Sequence, residues 1–270
     1  MSHYLFDNNA AETAGRFSVL EEHYDPVSTR QLALTGVTSG WRCLEVGGGS
    51  GSLGDWLGAR VGPDGEVVIT DLEPRWAASR SRPAHVHLQR HDIVRDPLPG
   101  SGFDLVHARL VLFHLPQRLA VLRRLVSALR PGGWLVLEEF DCGWTPVLAA
   151  PDQETAALFE RVHATLMGLL EQAGADPLWG RHVFGAMRRA GLTDLAATTR
   201  AEAWVGGGTG MALHRHNTDQ VVGALTAAGV TDKELALFRD ALTDPAFVVN
   251  SYPLISVRGR RPAETTETTR

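Results

Sequence analysis

Three acidic residues carry the most specific chemistry in this sequence: Glu45, Asp71 and Asp92. Each stands at or near the end of a short stretch read as a strand, residues 42–46, 66–71 and 86–92. An ionised carboxylate accepts hydrogen bonds and donates none, so the set suits a ligand rich in hydroxyls and amines. Asp71 can accept from both hydroxyls of a ribose. Asp92 can accept from an exocyclic adenine amine while the Ile93 N–H reaches a ring nitrogen, and Leu72 and Ile93 can sandwich the purine. Glu45 either orders the loop beside it or takes a ligand amine. A single acid at such a position reads equally well as a helix cap; three at matching strand ends argue for one ligand.

That loop is Val46-Gly47-Gly48-Gly49-Ser50-Gly51-Ser52-Leu53. Glycines allow a sharp turn and close approach of backbone to ligand, and the helix that follows offers unpaired N–H groups. Two frames compete. Gly49-x-Gly51-x-x-Gly54 fits a dinucleotide fingerprint, with Asp71 about 20 residues on. Glu45-x-Gly47-x-Gly49-x-Gly51 starts its glycines directly after the strand, and the turn belongs there.

Elements must bring these residues together. From Trp41 onward strands and helices alternate: strands at 42–46, 66–71, 86–92, 103–108 and 134–140, helices at 51–60, 73–79 and 117–130, with Pro131-Gly132-Gly133 ending the last helix. This alternation predicts an α/β fold with a parallel sheet and its ligand edge at the strand ends. Ahead of it, a helix over 10–23 and a second one opened by Asp25-Pro26 and closed by Gly36 are expected. These helices either cover the ligand or pack on the sheet edge. Beyond Asp141 the pattern changes to helices at 153–173, 181–190, 217–228 and 232–241, strands at 195–204 and 253–258, and a glycine joint at 206–210. The expected domains are therefore 1–40, N-terminal helices; 41–141, the binding core; 142–261, a cap with closing strands; and 262–270, a disordered tail.

The composition is that of an ordinary globular protein, and a formal charge of −5 gives no basic footprint for nucleic acid. No stretch is long and apolar enough to span a membrane and no signal peptide is evident, so a cytoplasmic setting is expected, with a homodimer as the candidate assembly. Cys43 and Cys142 read as reduced packing thiols on adjacent core strands. His85-Val86-His87 and His214-Arg215-His216 have metal-like spacing, but the first pair falls at the start of its strand, away from the ligand edge, and the second has no nearby carboxylate partner, so no metal is expected.

The glycine loop and the acids, with Phe103-Asp104-Leu105-Val106-His107-Ala108-Arg109 and Leu129-Arg130-Pro131-Gly132-Gly133, closely resemble class I S-adenosylmethionine (SAM) methyltransferases over residues 42–141. The chain looks most like their small-molecule branch, related to ubiquinone/menaquinone methyltransferases. Tyr4-Leu5-Phe6-Asp7-Asn8, Trp179-Gly180-Arg181, Ala190-Gly191-Leu192 and Gly259-Arg260-Arg261-Pro262 resemble bacterial members acting on specialised metabolites. The resemblance implies a Rossmann-like, mostly parallel sheet of seven strands, the last antiparallel. It also implies SAM as cofactor, held by Gly47, Gly49, Gly51, Asp71 and Asp92, with Ala108 beside it and Arg16 helping to hold its carboxylate. The implied reaction is methyl transfer to an O, N or C nucleophile of a small molecule.

Two other functions share parts of this pattern. An NAD-dependent oxidoreductase would use the later glycine frame, but Lys233, the only lysine, is far from any tyrosine. A SAM-binding cyclase that no longer methylates would keep the same cofactor motifs. Base candidates are Asp141, Glu139, His107, His114 and His163. His107 reads better as a core histidine and His114 as a turn cap. Glu138, Glu139 and Asp141 crowd one strand end, where some should face water or a pocket. Arg109, Asp141, Trp144, His163 and Met167 are the expected acceptor contacts. The 153–173 helix, apolar at Leu158, Val162, Leu166 and Leu170, is expected to lie over the strand ends and present Leu166, Met167 and Leu170 to the pocket beside Trp144.

Overall fold

A computed structural model describes residues 12–263. The Tyr4–Asn8 motif and the tail from residue 264 lie outside the described residues. In chain order the elements are α1 (Glu12–Ala33), β1 (Arg42–Val46), α2 (Ser52–Val61), β2 (Glu66–Asp71), α3 (Arg75–Ala78), β3 (Val86–Arg90), β4 (Phe103–Arg109), α4 (Arg118–Ala128), β5 (Leu129–Phe140), β6 (Val147–Ala149), α5 (Gln153–Gln172) and α6 (Trp179–Arg189). Then follow β7 (Thr193–Arg200), β8 (Ala203–Val205), α7 (Met211–Asp219), α8 (Val222–Ala227), α9 (Asp232–Ala241), β9 (Val248–Asn250) and β10 (Leu254–Arg260).

The main sheet has seven strands in the order β3-β2-β1-β4-β5-β10-β7. β1 to β5 pair in parallel, and β10, the last strand in the chain, runs antiparallel to both β5 and β7. An all-parallel dinucleotide sheet of order 3-2-1-4-5-6 has no such inserted strand. The central strands are buried on both faces: Leu44, Val46, Val106, Ala108, Leu135 and Leu137 face one core, and Cys43, Val67, Ile69, Leu105 and Val136 the other, under Leu53, Leu57 and Val61 of α2.

Several elements differ from the sequence expectation, each for a tertiary reason. Asp25-Pro26 does not start a helix; α1 runs through Pro26. Proline removes one N–H and strains the turn before it, but Val19, Tyr24 and Leu32 are buried on either side of it, and the Thr29 hydroxyl donates to the Asp25 carbonyl at 2.8 Å. Pro131-Gly132-Gly133 lies inside β5. It is held there by the residue that follows β10: Gly132 N–H donates to the Arg261 carbonyl and Arg261 N–H to the Gly133 carbonyl. The strand expected over 195–204 splits between two sheets. β10 begins at Leu254, opposite Arg200, so the chain beyond Arg200 has no partner there and pairs instead with β9. The resulting three-stranded sheet, β6-β9-β8, has no counterpart in the sequence reading. The helix expected over 217–228 is two, α7 and α8, broken near Val221. Cys43 and Cys142 are buried free thiols, but not on adjacent strands, because β4 separates β1 from β5.

Candidate active site

At the C-terminal ends of β1, β2 and β4 the chain encloses one large cavity. Its first wall is the glycine loop. Gly47, Gly49 and Gly51 have φ of 67°, 55° and 87°, a region that L side chains rarely occupy. A Cβ on Gly47 would come within 2.3 Å of Val111 Cγ2. The loop ends at Ser52, where α2 begins, so it fills the gap left by a strand that stops at Val46.

The acids gather around this loop. Asp71 accepts from Gly49 N–H and Glu73 N–H, both at 2.8 Å. Burial pushes its carboxyl up, and those N–H bonds partly offset the rise. Asp92 accepts from Val94 N–H at 2.8 Å, turning the chain so that Asp92 and Ile93 both line the cavity. Leu72, 51 % exposed, stands at the mouth. From above, α1 contributes Arg16, Phe17, Leu20 and Glu21.

Glu45 also lines the cavity, and its carboxylate is held from the side. His107 Nδ1 lies 2.7 Å from Glu45 Oε2, and His107 Nε2 lies 3.1 Å from Glu138 Oε2. Ser256 Oγ donates to Glu138 Oε1. Burial alone would lower the His107 pKa, but the two carboxylates outweigh it and raise it to about 9. His107 is thus a satisfied core histidine, as its place within a strand suggested.

The expectation that some of Glu138, Glu139 and Asp141 face water or a pocket holds only for Asp141. Glu138 and Glu139 are fully buried, because each has partners that offset the cost of desolvation. Glu139 accepts from Leu112 N–H at 2.8 Å and Phe113 N–H at 3.3 Å, while burial pushes its carboxyl up to about 8. Asp141 forms a bidentate pair with Arg181, at 2.9 and 2.6 Å.

The far end of the cavity is apolar and assembled from distant segments. It takes Phe113 and Leu115, Phe140 and Cys142, Leu166, Met167 and Leu170 of α5, Leu213 and Asn217 of α7, and Tyr252. Of the five base candidates, His114 lines this cavity. Burial and the nearby Arg16 charge lower its pKa to about 3, so the ring is neutral at physiological pH.

Not every expected residue is at this cavity. Ala108 is buried in the core beneath it, whereas Arg109 and Leu110 line the wall. Arg109 is engaged by Asp25 and Ser28 of α1 at 2.8 and 3.0 Å. Asp141 is turned away to Arg181. Trp144 and His163 line a separate groove that shares Cys142 with the main cavity. Phe159 stacks on His163 and fixes its ring on the groove side of α5. Phe113, Phe140, Leu213, Asn217 and Tyr252 were not singled out in the sequence. They are ordinary core-type residues in separate segments, and no local pattern marks them. The histidine pairs do not converge either: His85 bonds to the Gly58 carbonyl, and His214, now on a helix, contacts the Tyr252 hydroxyl. Among the described residues no cluster of three or more His, Cys, Asp or Glu side chains is placed to hold a metal, and no helix is long and apolar enough to cross a membrane.

This cavity fits an adenosyl amino acid. Its lining combines the carboxylates of Glu45, Asp71 and Asp92 with apolar Leu72 and Ile93 and the glycine loop, a donor set suited to such a ligand. Comparison with known proteins agrees. Residues 44–135 match the family model described as a methyltransferase domain. The chain is 32 % identical over 143 residues to methyltransferase str2 of Strobilurus tenacellus, covering 52 % of this chain and 49 % of that protein. It is 31 % identical over 150 residues to the ubiquinone/menaquinone biosynthesis C-methyltransferase UbiE of Laribacter hongkongensis, covering 54 % and 59 %. The chain thus spans about half the length of the curated relatives it matches. Protein BH2331 of Bacillus halodurans shares the fold, with a TM-score of 0.56 at 14 % identity over 87 % of this chain and 98 % of that one. Residues 44–135 thus carry a methyltransferase domain, and the sheet around it has the fold of the Bacillus halodurans protein.

Proposed function

We propose that the protein transfers the methyl group of SAM to an O, N or C nucleophile of an uncharged, largely apolar small molecule. One observation carries this reading. A single cavity has carboxylates and a glycine loop at one end and, at the other, a wall of Phe, Leu, Met and Tyr side chains free of acidic groups. Asp71, Asp92 and Glu45 would hold the ribose, the adenine and the ammonium, with Arg16 near the carboxylate. Bound SAM supplies a methyl group already activated by its sulfonium charge. What remains for the chain is to place the acceptor in line and exclude water, a contribution of up to about 7–11 kcal/mol. α1 closes the cofactor end, and α5 and α7 close the acceptor end. His114 lines the acceptor end as a neutral ring. The relative named a ubiquinone/menaquinone biosynthesis C-methyltransferase supports a small-molecule acceptor.

Thermal unfolding with and without ligand tests the cofactor. SAM or its demethylated product is expected to raise the midpoint, as binding to the native state requires. A rise with NAD and none with either SAM species would overturn the reading. Overnight incubation with labelled SAM and candidate acceptors then separates methyl transfer from a cyclase-type role.

The acceptor wall makes a second prediction. Leu166 and Leu170 are 2 % exposed and Met167 is partly buried, all on one face of α5. Met167→Ala and Leu170→Ala widen the cavity without touching the glycine loop. Acceptor KM or preference should change by roughly 10-fold, the value of one or two methylenes in an apolar pocket, while SAM affinity holds. Acceptor kinetics identical to wild type in both folded variants would remove α5 from the acceptor site.

A further inference from the structure

A chain of polar side chains crosses four adjacent strands beneath the cavity. Glu45 of β1 and His107 of β4 are register partners, and Glu138 of β5 and Ser256 of β10 are register partners. Glu45, His107 and Glu138 point to the sheet face that also carries Cys43, Leu105 and Val136, the apolar layer under α2. All four polar residues are 2 % exposed or less. Such a row is costly unless each member is satisfied. Here both ring nitrogens of His107 meet carboxylate oxygens, at 2.7 and 3.1 Å. Two carboxylates that only accept require two donating N–H groups, so the geometry calls for an imidazolium. Ser256 supplies the donor for the remaining Glu138 oxygen.

The chain is not symmetric in what it reaches. Glu138 is enclosed, with Arg109 adding positive charge nearby. Glu45 alone among these residues lines the cavity, beside the loop at Gly47 and Gly48. His107 takes its Oε2.

We propose that His107 is a positioning residue for the cofactor: its ring, backed by Glu138 and Ser256, holds the Glu45 carboxylate aimed at the ammonium of the SAM amino acid. This rests on the SAM reading above and adds the device behind it. Without the ring, the Glu45 carboxylate would lose the donor that fixes its orientation and would no longer be held toward an ammonium.

The test uses two ligands that differ in the amino acid alone. S-Adenosylhomocysteine carries the ammonium; 5′-methylthioadenosine has the same adenosine and sulfur but no amino acid. Calorimetry on His107→Gln and on Glu45→Gln should show S-adenosylhomocysteine affinity falling at least about 10-fold in each. Methylthioadenosine affinity should stay within about 2-fold of wild type. The double variant should lose little more than either single one, because the two residues act as a unit. A merely structural role for His107 would weaken both ligands together, and that outcome overturns the proposal. So does unchanged S-adenosylhomocysteine affinity in folded His107→Gln.

Wild-type protein with ¹⁵N-labelled histidine gives a readout that needs no variant. At about pH 8, where an ordinary imidazole is neutral, both His107 nitrogens should show imidazolium shifts. Nδ1 should respond to S-adenosylhomocysteine and not to methylthioadenosine. A neutral ring, or an equal response to both ligands, overturns the proposal. Wild type that binds neither ligand would instead reject the SAM reading itself.

Discussion

Replacing Asp71 with alanine is expected to lower SAM affinity by at least about 10-fold, and by roughly 100-fold if both of its functions are lost. The carboxylate holds Gly49 N–H and Glu73 N–H at 2.8 Å each, and each oxygen has a second lone pair, which the proposed ribose contact would use. Hydrogen bonds to a charged group are worth about 1.5–3 kcal/mol each, and every 1.4 kcal/mol is about 10-fold in affinity. Alanine strands the ligand hydroxyls and releases the loop backbone at Gly49 as well. Asp71→Asn separates the two effects. Its amide oxygen can still accept from one N–H, so the loop should hold while the charge is lost, and affinity should fall less than in Asp71→Ala. Isothermal calorimetry with S-adenosylhomocysteine measures both. Unchanged affinity in folded Asp71→Ala would remove the ribose role.

The prominence of Asp71 shows what a sequence can reveal. The glycine loop, the strand before it and the acid after β2 are local signals, and short-range sterics set them: a left-handed backbone at Gly47, Gly49 and Gly51 needs glycine wherever the rest of the chain lies. Strand alternation then implies the neighbours, so the edge where Glu45, Asp71 and Asp92 meet follows from chain order and right-handed crossovers. The acceptor end has no such grammar. Phe113, Phe140, Leu213 and Tyr252 come from four separate segments, and each is an unremarkable apolar residue in its own stretch. The β6-β9-β8 sheet was illegible for a related reason. Its strands are three residues long and pair across large sequence separations, so neither periodicity nor length marks them. His163 has the residue type of an acceptor contact, but its placement on the groove side of α5 depends on helix rotation, which Phe159 and its aromatic neighbours decide.

Thermal stability is expected to fall as pH rises from about 6.5 to about 9, a range where most surface groups do not titrate. The sign follows from His107. Its folded-state pKa, about 9, lies above the ordinary 6.5, so the folded protein binds the proton more tightly than the unfolded chain. That stabilisation is fully present below pH 6.5 and is lost as pH passes through 9. Glu139 acts in the same direction over a lower window. Burial lifts its pKa from 4.5 to about 8, so its contribution declines between those values. Glu138 works oppositely and only in acid, because His107 holds its carboxyl below the usual range. At 1.36 kcal/mol per unit, the His107 shift alone is on the order of 3 kcal/mol. For a chain of this size that is roughly 6–12 °C in the unfolding midpoint. Scanning calorimetry at intervals across this range measures it, and Glu139→Gln assigns the lower part by flattening it while leaving the fall toward pH 9. The upper part should persist in Glu139→Gln and shrink in Glu138→Gln, where His107 keeps one charged partner instead of two. A flat profile in wild type from about pH 6.5 to 9 would mean that His107 is neutral in the fold, and the charge that orders Glu45 would have to come from elsewhere.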